Sequence, residues 1–238
     1  AADELLTGTS NTIVGGRAFN AADGSEGNNV VIGADAGSGI DHDSTDGNII
    51  IGHDAGTGGG AALIGCIAIG RNSMNSTAAN AQTGTIAIGH DALTALTSGA
   101  NNVAVGYNAS KAITTGGGNT SLGESAMVDL VEGTNNTAIG KGAFGGALDA
   151  TADASTNNVF IGKDSGGGAW VTAVSNFNVA VGNLTMDAAM NGALQNTAVG
   201  HSSLSAITTG DGNVALGAYA GSSLTTGMSN VAVGASAG

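Results

Sequence analysis

The sequence predicts an all-β fold, a parallel β-solenoid (a β-roll) of about thirteen coils of 17–22 residues, and three observations carry that prediction. One glycine recurs at that interval along the whole chain, and a fixed period of this length is the signature of a solenoid. A short apolar stretch rich in β-branched residues precedes the glycine each time. The composition is one of small residues, with 43 glycines in 238 residues, no proline, 3% aromatic and 42% apolar residues. That apolar content excludes a disordered chain. Glycine without a strict third-residue period, and without proline, excludes collagen. Residues this small cannot fill a wide core, but they fill a narrow one repeated along an axis.

The glycine series is Gly15, Gly33, Gly52, Gly70, Gly89, Gly106, Gly123, Gly140, Gly162, Gly182, Gly200, Gly217 and Gly234. It leaves no room for a second domain, so 1–238 reads as one continuous repeat domain, with irregular longer coils at about 140–182. The residue before each glycine is aliphatic, from Val14 to Val233, and the residue three before it is β-branched, from Thr12 to Val231. Positions two apart share a face of a strand, so each repeat carries one short strand with a stiff apolar face, read as the lining of the coil. The residue between them is never charged and is alanine in eight repeats: Ala68, Ala87, Ala104, Ala138, Ala180, Ala198, Ala215 and Ala232. A strand apolar on both faces is expected to be buried on both. These alanines are therefore the expected assembly interface.

Four before the glycine stands asparagine: Asn11, Asn29, Asn48, Asn102, Asn119, Asn136, Asn158, Asn178, Asn196, Asn213 and Asn230, with Cys66 and Thr85 as the exceptions. Coils stacked about 4.8 Å apart would let these amides form a hydrogen-bonded structural ladder. Three after the glycine the residue is always Ala, Ser or Thr, often followed by a large apolar residue or another glycine. A second apolar segment closes on a glycine turn in several repeats, as in LLTG (5–8), LTSG (96–99), ITTG (113–116 and 207–210) and LTTG (224–227). Each coil thus reads as strand, glycine corner, small-residue segment, apolar–Thr–Thr–Gly turn, and back.

The motifs NTAVGHSSLSAITTGDGNVALGAYAG (196–221), NNVAVGYNASKAITTGGGNTSLG (101–123) and NNTAIGKGAF (135–144) resemble the repeats of bacteriophage and other viral tail fibres. They are more distantly similar to the head of YadA-like trimeric autotransporter adhesins. The resemblance implies a homotrimer of parallel β-rolls outside the cell, on a cell surface or on a virion, used as a shaft and for attachment. A cell-surface receptor or glycan would then be the partner.

Charge and chemistry narrow the rest. The net charge of −13 with only five Lys and Arg argues against a nucleic-acid partner. No stretch approaches the ~20 apolar residues of a membrane helix, so no membrane insertion is expected, and AADELLTG at the start shows no export signal. The lone Cys66 cannot form an internal disulfide and reads as a buried inert thiol. His53, His90 and His201 share the position after the strand glycine with Arg71, Lys141 and Lys163. His53 and His90 sit two coils apart, roughly 9–10 Å, which is too far for shared ligation, so the column reads as a solvated corner. In DHDSTDGN (41–48), Asp41, Asp43 and Asp46 are a weak calcium candidate, although the third ligand of an EF-hand loop would fall on Thr45 and no Glu follows at its twelfth place. The favoured reading is a solvated turn. No nucleophile, base and orienting group converge in the pattern, so the chain reads as non-enzymatic and cofactor-free. The aromatics Phe144, Phe160, Trp170 and Phe177 fall in the irregular coils, where they are either recognition candidates or fillers of a widened coil. The expected function is that of a non-enzymatic extracellular fibre. The alternative is a self-assembling filament subunit without a receptor, stacking head to tail; the Gly234-to-Gly15 spacing across joined termini is 19 and stays in phase, as expected either for such stacking or for a stretch cut from a longer solenoid.

Overall fold

A computed structural model describes residues 8–77, 80–148 and 152–238. It is all-β, a parallel β-solenoid of about twelve turns with almost no helix. The chain divides into two compact units, Ala1–Gly118 and Asn119–Gly238. In the first unit the long sheet is built from β1 (Thr12–Val14), β2 (Val30–Ile32), β3 (Ile49–Ile51), β5 (Ile67–Ile69), β7 (Ile86–Ile88) and β8 (Val103–Val105), paired in that order. A short second sheet pairs β4 (Leu63–Ile64) with β6 (Gln82–Thr83). In the second unit the long sheet runs β9 (Thr120–Leu122), β10 (Thr137–Ile139), β11 (Val159–Ile161), β12 (Val179–Val181), β13 (Thr197–Val199), β14 (Val214–Leu216) and β15 (Val231–Val233).

Within each unit neighbouring strands are parallel and in register on the repeat: Val30 pairs with Ile49 and Val31 with Ile50, and Val179 pairs with Thr197 and Ala180 with Ala198. The coil-to-coil hydrogen bonds continue past the strands. Gly33 N donates to Val14 O at 2.8 Å, Asp35 N to Gly16 O at 2.9 Å and Phe19 N to Ala36 O at 2.8 Å. On the far side, Thr97 N and Thr208 N donate to the carbonyls of Thr114 and Thr225, both at 2.8 Å, and the Thr97 and Thr208 hydroxyls bond the same carbonyls at 3.0 Å. The Thr–Thr–Gly turn is therefore a second stacking column, in which hydroxyl and amide of one coil share an acceptor on the next.

The corner glycine explains the period. All thirteen adopt φ between +121° and +143°, a region that side chains rarely enter. Space gives a second reason: a Cβ built on Gly123 would lie 2.6 Å from the carbonyl oxygen of Gly140 in the next coil. Two residues later the backbone is left-handed again, at Asp35, Asp54, Asn72 and Asp91 among others, and the residue just before each ladder asparagine is left-handed too, as at Asn28, Asn101 and Asn135. Asn and Asp tolerate that conformation best after glycine, which accounts for the repeated NN and GN dipeptides.

The faces of the strands are the reverse of the sequence reading. The middle residue of each strand points into the coil: Val31, Ile50, Ala68, Ala87, Ala104, Ala138, Phe160, Ala180, Ala198 and Ala215 are fully buried and Ala232 nearly so. The eight alanines expected at an assembly interface therefore line the core of a single chain. The reason is the narrowness of the coil. The left-handed position four after the corner glycine also projects inward, and Phe19, Met74, Leu93, Met127, Phe144, Met186 and Leu204 are fully buried there. Opposite five of the eight strand alanines this position holds a large residue, as Met74 does opposite Ala68 and Leu204 opposite Ala198, whereas in the coils of Ala104 and Ala215 it is Ser110 and Gly221. Opposite Val31, Ile50 and Phe160 it is glycine, and a Cβ on Gly56 or Gly166 would press on Ile50 or Phe160. In most coils one bulky group from these two positions fills the section, as close packing of a narrow core requires. A third buried column, Leu96, Ile113, Leu130, Met190 and Ile207, comes from the apolar residues before the glycine turn.

Candidate interaction surfaces

The flanking residues of each strand, three before and one before the glycine, face outward. Val14, Leu122, Val199 and Leu216 expose 57%, 47%, 40% and 40% of their surface, and the rest of the two columns is partly exposed. No charged residue occurs in either column. In each unit the result is a flat face of β-branched and aliphatic side chains at strand spacing, of the kind that in a soluble protein is covered or presented to a partner.

The asparagine column lies inside. In the second unit the side-chain oxygens of Asn119, Asn136, Asn158, Asn178, Asn196 and Asn213 each accept from the backbone N and the side-chain amide of the next asparagine, up to Asn230, at 2.9–3.2 Å. The remaining amide hydrogen goes to a carbonyl one turn on, as from Asn196 to Gly210 O at 2.8 Å. In the first unit Asn11, Asn29 and Asn48 form the same chain, which ends on Cys66 N at 2.8 Å. Asn102 spans to Gly116 O at 2.8 Å. Where Cys66 and Thr85 interrupt the column, the buried Gln82 amide donates to Thr97 O at 3.0 Å, bridging the turns from a different position. Burial pushes the Cys66 thiol up from its ordinary pKa, consistent with an unreactive core group.

The column after the corner glycine is a polar rim. Arg17 donates to both carboxylate oxygens of Asp35, at 2.6 and 2.7 Å, and that hydrogen-bonded guanidinium holds the Asp35 carboxyl below its usual value. His53 Nδ1 lies 2.7 Å from Asp54, His90 Nδ1 lies 3.3 Å from Asp91, and His201 packs edge-on to Tyr219. Partial burial pulls Asp91 upward, but the Asn72 amide, His90 and Lys111 outweigh it and the net shift is down. Lys141 pairs with Glu124, and Lys163 with Asp164. His53, Asp54 and Asp35 do approach within 4.8 Å of one another, but Asp35 is already committed to Arg17. A shallow depression lined by Thr57, Gly58, Gly59, Asn75 and Ser76 contains no titratable side chain.

Asp41, Asp43 and Asp46 do not form one ligand set. Asp43 Oδ1 accepts from Ser25 N at 3.1 Å and Asp46 Oδ1 from the Asn28 amide at 2.8 Å, each tying its coil to the previous one. Asp41 instead faces Asp23 and Glu26. Three of the four aromatic recognition candidates are core. Phe144, Phe160 and Trp170 are fully buried and stack with centroid distances of 5.0, 4.6 and 5.5 Å, filling the coils lengthened to 22 and 20 residues. They are not available for recognition. Phe177 alone remains outside, 55% exposed. The exposed rings that the sequence reading passed over are Tyr107, beside His90, and Tyr219, at 54% and 49% exposure. Compared with family models, curated proteins and solved structures, the chain matches none of them.

Proposed function

We propose that the chain is the shaft of a non-enzymatic fibre, assembled as a parallel homotrimer outside the cell or on a virion and used for reach and attachment. The observation that carries the reading is the outward strand face. A chain of net charge −13 keeps two full columns of every coil free of charge. It places there the β-branched side chains that would ordinarily be buried. The occupant that fits this face is a second and third copy of the chain, because another copy repeats the same flat rows at the same rung spacing. Like-charged copies can approach only where neither carries charge. Side chains on the polar rim, with Tyr107, Phe177 and Tyr219, would then face a surface receptor or glycan.

The test is sedimentation equilibrium of the full chain beside the double variant Val105→Asp/Val181→Asp, one substitution on the outward face of each unit. The wild type is expected to sediment as a trimer and the variant as a folded, β-rich monomer. A stable wild-type monomer at micromolar concentration would defeat the proposal, and open-ended filaments in micrographs would replace it with the filament-subunit reading.

A further inference from the structure

We propose that Asp23, Glu26 and Asp41, brought together from two successive turns of the first unit, form a binding site for a divalent cation of calcium type. Their carboxylate oxygens all lie within 4.8 Å of one another. A point between three oxygens so placed lies no more than about 2.8 Å from each, close to the Ca–O distance of about 2.3–2.6 Å, and three carboxylates suit Ca²⁺, whereas Mg²⁺ keeps several waters and is usually held through one or two carboxylates. The set is all oxygen, with no imidazole or thiolate, which suits a hard cation.

An exposed acidic cluster alone would not carry this, since exposed carboxylates repel one another harmlessly in water. Glu26 is different. Its side chain is fully buried, Oε2 accepts from Gly24 N at 3.0 Å, and Oε1 is buried with no hydrogen-bond partner. A buried carboxylate oxygen left without a donor is costly. The backbone holds it there: the Glu26 carbonyl accepts from the first ladder amide, Asn11 Nδ2, at 2.7 Å. Among the described residues no ion pair involves Asp23, Glu26 or Asp41. The charges acting on Asp41 are all negative, with Asp23 foremost, then Glu26 and Asp43, and they push its carboxyl up from the ordinary value. A cation supplies what this arrangement lacks, a positive centre shared by the Glu26 carboxylate, whose Oε1 has no donor, and the two aspartates. Bridging Asp23 and Glu26 to Asp41, it would also fasten one turn to the next.

The experiment is calorimetric titration of the full chain with CaCl₂ after removal of metal by chelation, alongside thermal melts. Saturable binding of one ion per chain is expected, with Kd on the order of 10⁻⁴–10⁻³ M, the range of extracellular calcium modules, together with a calcium-dependent rise in melting temperature. Glu26→Gln, which keeps the shape and removes the charge, is expected to weaken binding at least ~10-fold while melting at or above wild type in chelator, because it relieves a crowded carboxylate. Asp41→Asn is expected to weaken binding likewise, and Asp35→Asn, in the neighbouring Arg17-paired cluster, to leave it unchanged. A wild type that gives no heat and no melting shift at about 10 mM CaCl₂, well above such a Kd, would overturn the proposal. So would binding that survives Glu26→Gln intact, and so would an equal response to MgCl₂.

Discussion

Eleven of the thirteen corner glycines answer to two demands, a positive φ and a carbonyl of the next coil within reach of any Cβ, and a substitution there fails both. At Gly123 the backbone sits at φ +137°, and an added methyl would meet the Gly140 carbonyl at 2.6 Å. The first demand costs about 1–2 kcal/mol in backbone strain, and the second adds about 1–3 kcal/mol of overpacking. Gly16, the next residue after another corner glycine, has open space around its Cα and no unusual φ. Gly123→Ala is therefore expected to lower stability by about 2–5 kcal/mol, and Gly16→Ala to stay within about 0.5 kcal/mol of wild type. Amide exchange at Gly140, whose N–H bonds Leu122 O at 2.8 Å, reads the local effect directly, and equal protection in the two variants would contradict the account. The same reasoning covers the residue before each ladder asparagine. Phe177 occupies that left-handed position at φ +60°, where the other coils place mostly Asn or Gly.

At the scale of the coil, most layers set their energetics by one bulky inward group drawn from the strand or from the left-handed position after it. The widened coils around Phe160 replace that single group with a three-ring stack, so Trp170→Ala is expected to cost about 3–5 kcal/mol in chemical unfolding. Phe177→Asn should be neutral or mildly stabilising, because it removes an exposed ring and suits the left-handed backbone. A Trp170→Ala protein as stable as wild type would show that the stack is dispensable. This contrast also marks how far the sequence could be read. The strands, their length, the corner and the asparagine rungs follow from period and residue type, because an in-register parallel coil repeats its constraints at every turn. The direction of the strand faces was harder, since a two-residue alternation names two faces without saying which is inside. The deciding signal lay six residues downstream of the middle strand position. Gly37, Gly56 and Gly166 occur where the strand supplies Val31, Ile50 or Phe160, and Met or Leu where it supplies Ala68, Ala87, Ala180 or Ala198. That reciprocity of volume is a core property, and a surface alanine would not show it. The Asp23–Glu26–Asp41 cluster was not legible for another reason: its members join across a turn of the solenoid, and linear spacing grouped Asp41 with Asp43 and Asp46, which instead bond to the previous coil.

At the scale of the whole chain, charge and shape oppose each other, and salt separates them. The net charge is −13, and four of the five cations, Arg17, Lys111, Lys141 and Lys163, already pair with carboxylates of their own chain. Few cations are left to bridge to another copy, so an assembly of identical chains would be held by the uncharged strand faces and opposed by repulsion among the surrounding carboxylates. Such repulsion acts over about 30 Å at 0.01 M ionic strength but only about 3 Å at 1 M. Apolar contact between the outward columns is not weakened by simple salt and is strengthened by sulfate. The proposed trimer is therefore expected to tighten with ionic strength, its dissociation constant falling by roughly an order of magnitude between low and high salt as screening removes the repulsion. Sodium chloride should act by screening alone and ammonium sulfate by screening and exclusion together, so sulfate should tighten the assembly further at equal ionic strength. A sedimentation series across salt in chelator, which keeps the effect of any bound divalent ion out of the comparison, measures this. Dissociation by added salt would mean that ion pairs between copies hold the assembly, and the uncharged faces would then have to be assigned another role.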